Sequence, residues 1–292
     1  MNAADILARL GFPFKACDSA ITQLKRAEDG EPYRVWKVKT GEKTYILKKA
    51  KEYEAEVYKT ILKGVTKYVP AVFGIGDVDG DTYILMEYVE GNDLRRCTRE
   101  ALTAALDALT SLQNAFWNDK THINDGYTFD MSITGRENRR KYLLDQELEA
   151  AYDKFLAVYA ATPRTLCHDD LLPFNVITDG KRAVLIDWEY GGILPYPVSF
   201  ARLFAHGDDD QNAFFHMTSS DREFAIEYYY DKLLAGKGIS YTEWTNTLEY
   251  FLFYEYCEWV MVGNKYGATD GENFGKYLPL AKKQAKKILG NF

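Results

Sequence analysis

The first part of the chain carries short runs in which apolar and polar residues alternate, the pattern of half-buried strands. These runs are rich in Val, Ile, Tyr and Trp, and they predict strands at residues 19–25, 33–39, 44–49, 72–77 and 82–86. Two hairpins are expected, one turning at Thr40-Gly41-Glu42 and one at Asp79-Gly80. Residues 51–63 carry their apolar side chains at helical spacing. The predicted order is three strands, a helix and two more strands.

Helical periodicity takes over after residues 87–91, which we interpret as a linker. It predicts helices at residues 100–117, 135–159, 198–205, 221–234, 242–264 and 273–289. Residues 118–132 are expected to form a polar loop, and residues 166–186 a compact β segment that turns at Asp179-Gly180. The pattern therefore predicts an α+β protein with a small β-rich region, residues 1–88, before a larger helical region, residues 89–292.

Composition indicates which kinds of partner and which cellular compartment to expect. The 292 residues are 47% hydrophobic and 27% charged, which is typical of a soluble globular protein. A net charge of -7 argues against nucleic acid or an anionic membrane as the main partner. We expect no signal peptide at the N-terminus and no membrane span, because no stretch approaches the ~20 apolar residues required. Scattered cysteines (Cys17, Cys97, Cys167 and Cys257) favour a reducing cytoplasm.

The strongest chemical signal is the segment Cys167-His168-Asp169-Asp170-Leu171-Leu172-Pro173-Phe174-Asn175, followed by Ile186-Asp187-Trp188-Glu189. Asp170 and Asn175 are expected in one loop between a helix and a hairpin, and Asp187 at the end of that hairpin's second strand. Mg²⁺ prefers oxygen ligands and often combines one or two carboxylates with phosphate oxygens. Phosphoryl transfer also needs an acceptor for the substrate hydroxyl's proton. We therefore predict Asn175 and Asp187 as metal ligands and Asp170 as the catalytic residue.

These two motifs, HxDxxxxN and IDxE, resemble those of the aminoglycoside phosphotransferases and choline/ethanolamine kinases, most of all the choline/ethanolamine branch. The resemblance implies a two-lobed protein-kinase-like fold, with residues 1–88 as the nucleotide-binding lobe and residues 89–292 as the lobe with the catalytic loop and acceptor site. It also implies ATP and Mg²⁺ as cofactors, and a small-molecule acceptor with a hydroxyl group. A cationic acceptor, choline-like or aminoglycoside-like, is the expectation. His168 is expected to pack behind the loop.

The resemblance extends to the nucleotide-binding region. Tyr45-Ile46-Leu47-Lys48 resembles the family's strand that ends in a phosphate-contacting lysine, so Lys48 is preferred over Lys49, which points to the opposite face. Glu54 is the expected partner of this lysine, with Glu56 as the alternative. Residues 83–91 resemble the family's hinge, which implies that the Glu87 C=O and the Val89 N–H meet the adenine.

Two positions depart from the family pattern. Ser199 stands where the family usually has an Asp that steadies the catalytic loop, and Gln113 stands where many members have His. The loop expected over the phosphates, residues 25–32, contains Gly30 but no GxGxxG motif. Ser199 leaves open an alternative function, a non-catalytic nucleotide-binding protein that uses the same fold.

The acceptor site is predicted in the segment 250–259, where choline kinases place the aromatic residues around the substrate's ammonium group. Glu255 and Trp259 share a helix face at i, i+4, and Tyr256 lies three residues before Trp259. A carboxylate beside aromatic rings can hold an alkylated amine through cation–π contacts. The alternative is that Tyr256 and Trp259 are core residues of the helical region.

Overall fold

An antiparallel five-stranded sheet forms the first part of the molecule in the computed structural model, which describes residues 3–12, 19–25 and 30–290. The strands run in the order β1-β2-β3-β5-β4. They are β1 (Ser19–Lys25), β2 (Pro32–Thr40), β3 (Lys43–Lys49), β4 (Val72–Val78) and β5 (Asp81–Glu87). Asp79 and Gly80 both have positive φ, 52° and 82°, as a tight hairpin turn between β4 and β5 requires. All five predicted strands are therefore present.

Alternation along β5 divides the sheet between two cores. Tyr83 and Leu85 pack into one core with helix α1 (Ala3–Arg9), which the sequence pattern did not predict. Ile84 and Met86 point to the other face and join the main core of the helical part. Successive side chains of a strand in this sheet therefore point alternately into the core shared with α1 and toward the helical part.

The helix predicted at residues 51–63 is shorter than expected. Helix α2 spans only Glu54–Lys59. Glu52 has a φ of 37°, which is incompatible with a helix that starts earlier, and Thr60 leaves helical geometry with φ of −116° and ψ of −82°. The residues that follow, up to Gly64 with its positive φ, form turns.

The remainder is mainly helical, with small strands around the predicted catalytic segment. Its helices are α3 (Arg99–Ala115), α4 (Phe129–Arg139), α5 (Gln146–Ala161), α6 (Pro197–Phe204), α7 (Ser219–Tyr229), α8 (Tyr241–Tyr266) and α9 (Glu272–Leu289). Its strands are β6 (Asn92–Asp93), β7 (Arg164–His168), β8 (Val176–Thr178), β9 (Ala183–Leu185) and β10 (Gly191–Pro195). None of the helices within the described residues combines the length and apolar character that a membrane span requires.

Within residues 118–159 the structure differs from two of the sequence-based predictions. The polar loop ends early, because Thr128 caps α4 by accepting a hydrogen bond from the Met131 N–H (3.3 Å). The single helix predicted at residues 135–159 is interrupted after α4. Leu144 has a positive φ of 54°, and Asp145 then starts α5 by accepting from the Leu148 N–H (3.1 Å). A third correction concerns the catalytic loop, which follows strand β7 rather than a helix.

Candidate active site

The register of β3 decides which of two adjacent lysines faces the helical part. Lys48 pairs with Ile84, whereas Lys49 pairs with Tyr83. Cross-strand partners point to the same side of a sheet, so Lys48 lies on the face of Ile84. Its Nζ contacts Glu54 Oε1 at 2.8 Å and also Asp187 Oδ1. Lys49 instead pairs with Asp81 at 2.6 Å.

Glu54, rather than Glu56, is the helical partner of Lys48. Its side chain is completely buried on α2, whereas Glu56 is exposed. Burial raises the pKa of Glu54 to about 7 even though Lys48 opposes the shift. For Lys48 burial works against the charge, but the attraction of Glu54 and Asp187 raises its pKa. The site therefore holds a cationic lysine beside a glutamate that titrates near neutral pH.

Asp187 is carried into this cluster by an unusual backbone conformation. It follows β9 with a φ of +65°, which is uncommon for a residue other than glycine. Burial disfavours its charge, yet Lys48 lowers the pKa of Asp187. Glu189, two residues on, has its pKa raised by burial and by Asp187, and lies 3.4 Å from Lys51 Nζ. Glu189 was not among the site residues predicted from sequence, although it ends the same motif.

Asn175 and Asp187 are adjacent through the backbone. The Ile186 N–H donates to the Asn175 carbonyl at 3.0 Å, so the next residue, Asp187, starts beside Asn175. The Asn175 side-chain amide donates to the Asp170 carbonyl at 2.9 Å, which leaves the amide oxygen available as a ligand. One carboxylate and one amide oxygen suit Mg²⁺ that also binds phosphate. Among the described residues no cluster of three or more His, Cys, Asp or Glu forms a complete protein metal cage.

His168 holds the start of the catalytic loop. It is buried, and burial lowers its pKa, which favours the neutral ring. Its Nδ1 accepts from the Asp170 N–H (3.3 Å), so the proton of the neutral ring lies on Nε2 and is donated to the Ile186 carbonyl (2.8 Å). The ring thereby links the Asp170 segment to the Asp187 segment and packs beneath the loop.

The two departures from the family pattern both make buried hydrogen bonds. The Ser199 hydroxyl accepts from the His168 N–H at 2.8 Å, so a neutral side chain steadies the loop. Gln113 donates to the Tyr196 carbonyl at 2.9 Å and accepts from the Tyr229 hydroxyl at 2.6 Å. Ser199 thus supports the start of the catalytic loop directly, whereas Gln113 joins the segments of Tyr196 and Tyr229.

An open pocket of about 180 Å³ lies beside Asp170. Part of its wall is aromatic, formed by Tyr127, Tyr190 and Tyr254. The rings of Tyr127 and Tyr190 meet edge to face, with centroids 5.4 Å apart. Tyr254 lies in the segment 250–259, where the acceptor site is predicted, whereas the sequence pattern did not point to Tyr127 or Tyr190, which come from separate segments.

The rest of the pocket is strongly charged. Its carboxyl groups belong to Asp169, Asp170, Glu255 and Glu258, and its guanidinium groups to Arg136, Arg139 and Arg202. Arg136 lies 2.7 Å from Asp169, Arg202 lies 2.7 Å from Asp170, and Arg139 pairs with Glu258. Burial raises the pKa of Glu255 to about 8, against the effect of Arg202.

Of the predicted acceptor residues, the structure brings only Glu255 to this pocket. Tyr256 and Trp259 are on a different side of α8 and stack on Tyr277 of α9, with ring centroids 6.0 and 5.9 Å away. The structure therefore does not bring these two residues of the predicted aromatic cage to the pocket. The face of α8 that meets the pocket carries Tyr254, Glu255 and Glu258.

The predicted hinge lies at the end of β5. Glu87 ends β5, and its carboxylate accepts from the Ala71 N–H at 3.2 Å. In the described part of the chain, the Val89 N–H has no backbone hydrogen-bond partner. The predicted covering loop, residues 25–32, lies partly outside the described residues, and Cys17 lies wholly outside them. The described cysteines, Cys97, Cys167 and Cys257, form no disulfide bond.

A protein-family comparison matches residues 23–231 to the model of the phosphotransferase enzyme family. The chain belongs to this family. Among curated proteins, two sequences named Protein LicA from Haemophilus influenzae are similar to this phosphotransferase family member. One is 24% identical over 49% of this chain and 50% of its own length, and the other is 26% identical over 42% and 34%. The matches thus span half or less of these curated relatives.

Solved structures agree on the fold of this family member. The choline/ethanolamine kinase family protein from Mesorhizobium loti has a TM-score of 0.64 at 15% identity, covering 100% of this chain and 96% of that one. A thermostable mutant of aminoglycoside phosphotransferase APH(4)-Ia, in a ternary complex with AMP-PNP and hygromycin B, has a TM-score of 0.57 at 18% identity, covering 98% and 97%. The predicted kinase-like α+β fold and the family resemblance are both confirmed.

Proposed function

We propose that this protein transfers the γ-phosphate of ATP to a hydroxyl group of a small molecule, with Mg²⁺ as the metal. The observation that carries the proposal is a single juxtaposition. Lys48, held by Glu54, contacts Asp187. His168 links the Asp187 segment to the loop that carries Asp170, and Asp170 lines an open pocket with aromatic and charged walls. A phosphate-binding cation and a proton acceptor are the two protein groups that this reaction requires.

The nucleotide is proposed to lie between residues 1–88 and residues 89–292. In this arrangement the Glu87 carbonyl and the Val89 N–H meet the adenine, and Lys48 binds the phosphates. The complex of APH(4)-Ia with AMP-PNP supports a nucleotide site in this fold. Asn175 and Asp187 would hold Mg²⁺, which supplies charge neutralisation at the phosphate oxygens when bound. Lys48 positions the phosphates, and Asp170 orients the acceptor hydroxyl and takes its proton.

The acceptor is proposed to be a polar and cationic small molecule, choline-like, ethanolamine-like or aminoglycoside-like. Support comes from the tyrosine wall formed by Tyr127 and Tyr190 and from the carboxylates beside it. An aromatic face with a nearby carboxylate stabilises an ammonium group. Because three arginines also line the pocket, hydroxyl and charged groups on the acceptor are expected to share its binding.

Replacing Asp170 with Asn tests the catalytic assignment. Loss of a positioned proton acceptor lowers kcat by ~10²–10⁴-fold, while the KM for ATP stays nearly constant because Lys48 and the hinge remain. Asp179→Asn, in the exposed turn of the β8–β9 hairpin, is the matched control. A variant that loses ATP binding but keeps kcat would reassign Asp170 to the metal site.

One experiment tests both the chemical class of the acceptor and the alternative function, nucleotide binding without catalysis. Purified protein is incubated with Mg²⁺ and ATP and a panel of amines, aminoglycosides, sugars and nucleosides, and ADP release is measured. Acceptor-dependent ADP release identifies the substrate class. Tight ATP binding without any ADP release would favour the non-catalytic nucleotide-binding protein. The hydrogen bond from the His168 N–H to Ser199 argues for catalysis, because the loop is steadied without the usual Asp.

A further inference from the structure

Arg202 on α6 makes the densest set of ionic contacts at the pocket. Its Nε and Nη2 both donate to Oδ1 of Asp170, at 3.1 and 2.7 Å. Its Nη1 donates to Glu255 Oε2 at 3.0 Å and to Glu258 Oε2 at 3.4 Å. The side chain is 16% exposed, so water screens these contacts weakly. Four of the five guanidinium N–H donors are therefore directed at carboxylates.

Both bonds to Asp170 end on the same oxygen atom. Within the described residues, Oδ2 of Asp170 has no protein partner, whereas Oδ1 is held twice. A planar guanidinium that binds one carboxylate oxygen through two donors fixes the position of that oxygen and limits rotation of the carboxylate. The other oxygen then remains open to a hydroxyl in the pocket.

Helix α6 contacts the catalytic loop at two points, three residues apart. Ser199 accepts from the His168 N–H, and Arg202 binds the Asp170 side chain. Residues at i and i+3 lie on one helix face, so both contacts come from the same side of α6. On the side away from the loop, two glutamates of α8 fix the guanidinium. The arginine is thus anchored independently of any substrate.

We propose that Arg202 is a positioning residue that holds Oδ1 of Asp170, so that Oδ2 faces the hydroxyl to be phosphorylated. This role rests on the proposed function, because it gives Asp170 the proton-accepting role. Direct binding of the acceptor is disfavoured by the donor count, since one N–H of Arg202 is left for it. Misplacement of a reacting group by ~1 Å can cost about 10²-fold in rate. A loss of that size is therefore expected when Arg202 is removed.

The test uses ATP hydrolysis, with water as the acceptor, so that no acceptor needs to be known. In Arg202→Met we expect kcat for ADP release to fall by about 10²-fold with an unchanged KM for ATP. In Arg202→Lys, whose ammonium can still bind Oδ1, part of the loss should be recovered, and this variant also serves if the methionine variant does not fold. A residue that only binds the acceptor would leave hydrolysis unchanged, which would overturn the proposal.

Arg140→Met is the matched control. Arg140 also binds two carboxylates, Asp153 and Glu149, but it does not line the pocket. The proposal fails if the losses in both Arg202 variants follow a fall in melting temperature and a rise in the KM for ATP, as a purely structural role predicts. If wild type and Arg140→Met release no ADP with water or with any acceptor of the panel of amines, aminoglycosides, sugars and nucleosides, the proposed function fails and the role of Arg202 with it. If wild type and Arg202→Met are equally active, the proposed role of Arg202 is wrong, while the proposed function stands.

Discussion

Replacing Glu54 with Gln should change how the stability of the protein depends on pH. Glu54 is completely buried, and its pKa rises from 4.5 to about 7 in the folded protein. Between these two values the folded state keeps a proton that the unfolded state releases. Stability from this group is therefore present below about pH 4.5 and is lost as the pH rises through 7.

The magnitude follows from the size of the shift. Each pKa unit corresponds to about 1.4 kcal/mol, so the change from 4.5 to about 7 is worth about 3 kcal/mol of unfolding free energy. Unfolding entropy scales with chain length, and for 292 residues this free energy corresponds to a shift of roughly 5 °C in Tm. Gln has no proton to lose. The Tm of Glu54→Gln minus that of wild type should therefore rise by about this amount between pH 4.5 and 7.5.

Thermal unfolding across this pH range measures the difference. Loss of the ionic contact with Lys48 adds an offset, so the test is the slope of the Tm difference against pH, not its absolute value. Glu56→Gln, on the exposed side of the same helix, controls for effects on α2. A flat difference for Glu54→Gln, or one that falls with rising pH, would mean that the carboxylate stays ionised and that Lys48 outweighs the cost of burial.

Three further variants test the site. Asp187→Ala should abolish Mg²⁺-dependent ADP release, measured over a Mg²⁺ titration; near-normal activity would remove it as a metal ligand. Lys48→Met should raise the KM for ATP at least tenfold, because a charged contact to phosphate is worth about 1.5–3 kcal/mol, and Lys49→Met should have a much smaller effect; equal effects would contradict the β3 register. Trp259→Ala should lower the unfolding free energy by about 3 kcal/mol through lost packing on Tyr277, without changing the KM for an acceptor. A selective rise in that KM at constant Tm would restore the predicted aromatic cage.

The sequence determined the features that depend on neighbours along the chain. Alternation predicted the five strands of the sheet, and the turn residues Asp79 and Gly80 located a hairpin. Alternation showed that Lys48 and Lys49 point to opposite faces of the strand. The preference for Lys48 came from the resemblance of residues 45–48 to the family's strand. Motif spacing likewise indicated the loop with Asp170 and Asn175. The catalytic, metal and nucleotide roles of these residues remain predictions.

Tertiary structure decided which side of each helix faces the pocket. Helix α8 has aromatic or charged residues on several sides, so its periodicity does not say that Glu258 meets the pocket while Trp259 packs on α9. Arg202 lies 32 residues from Asp170, and Arg139 lies 119 residues from Glu258. Such pairs form only when separate helices pack together, because each side chain's partner is set by the position and rotation of another helix rather than by local spacing.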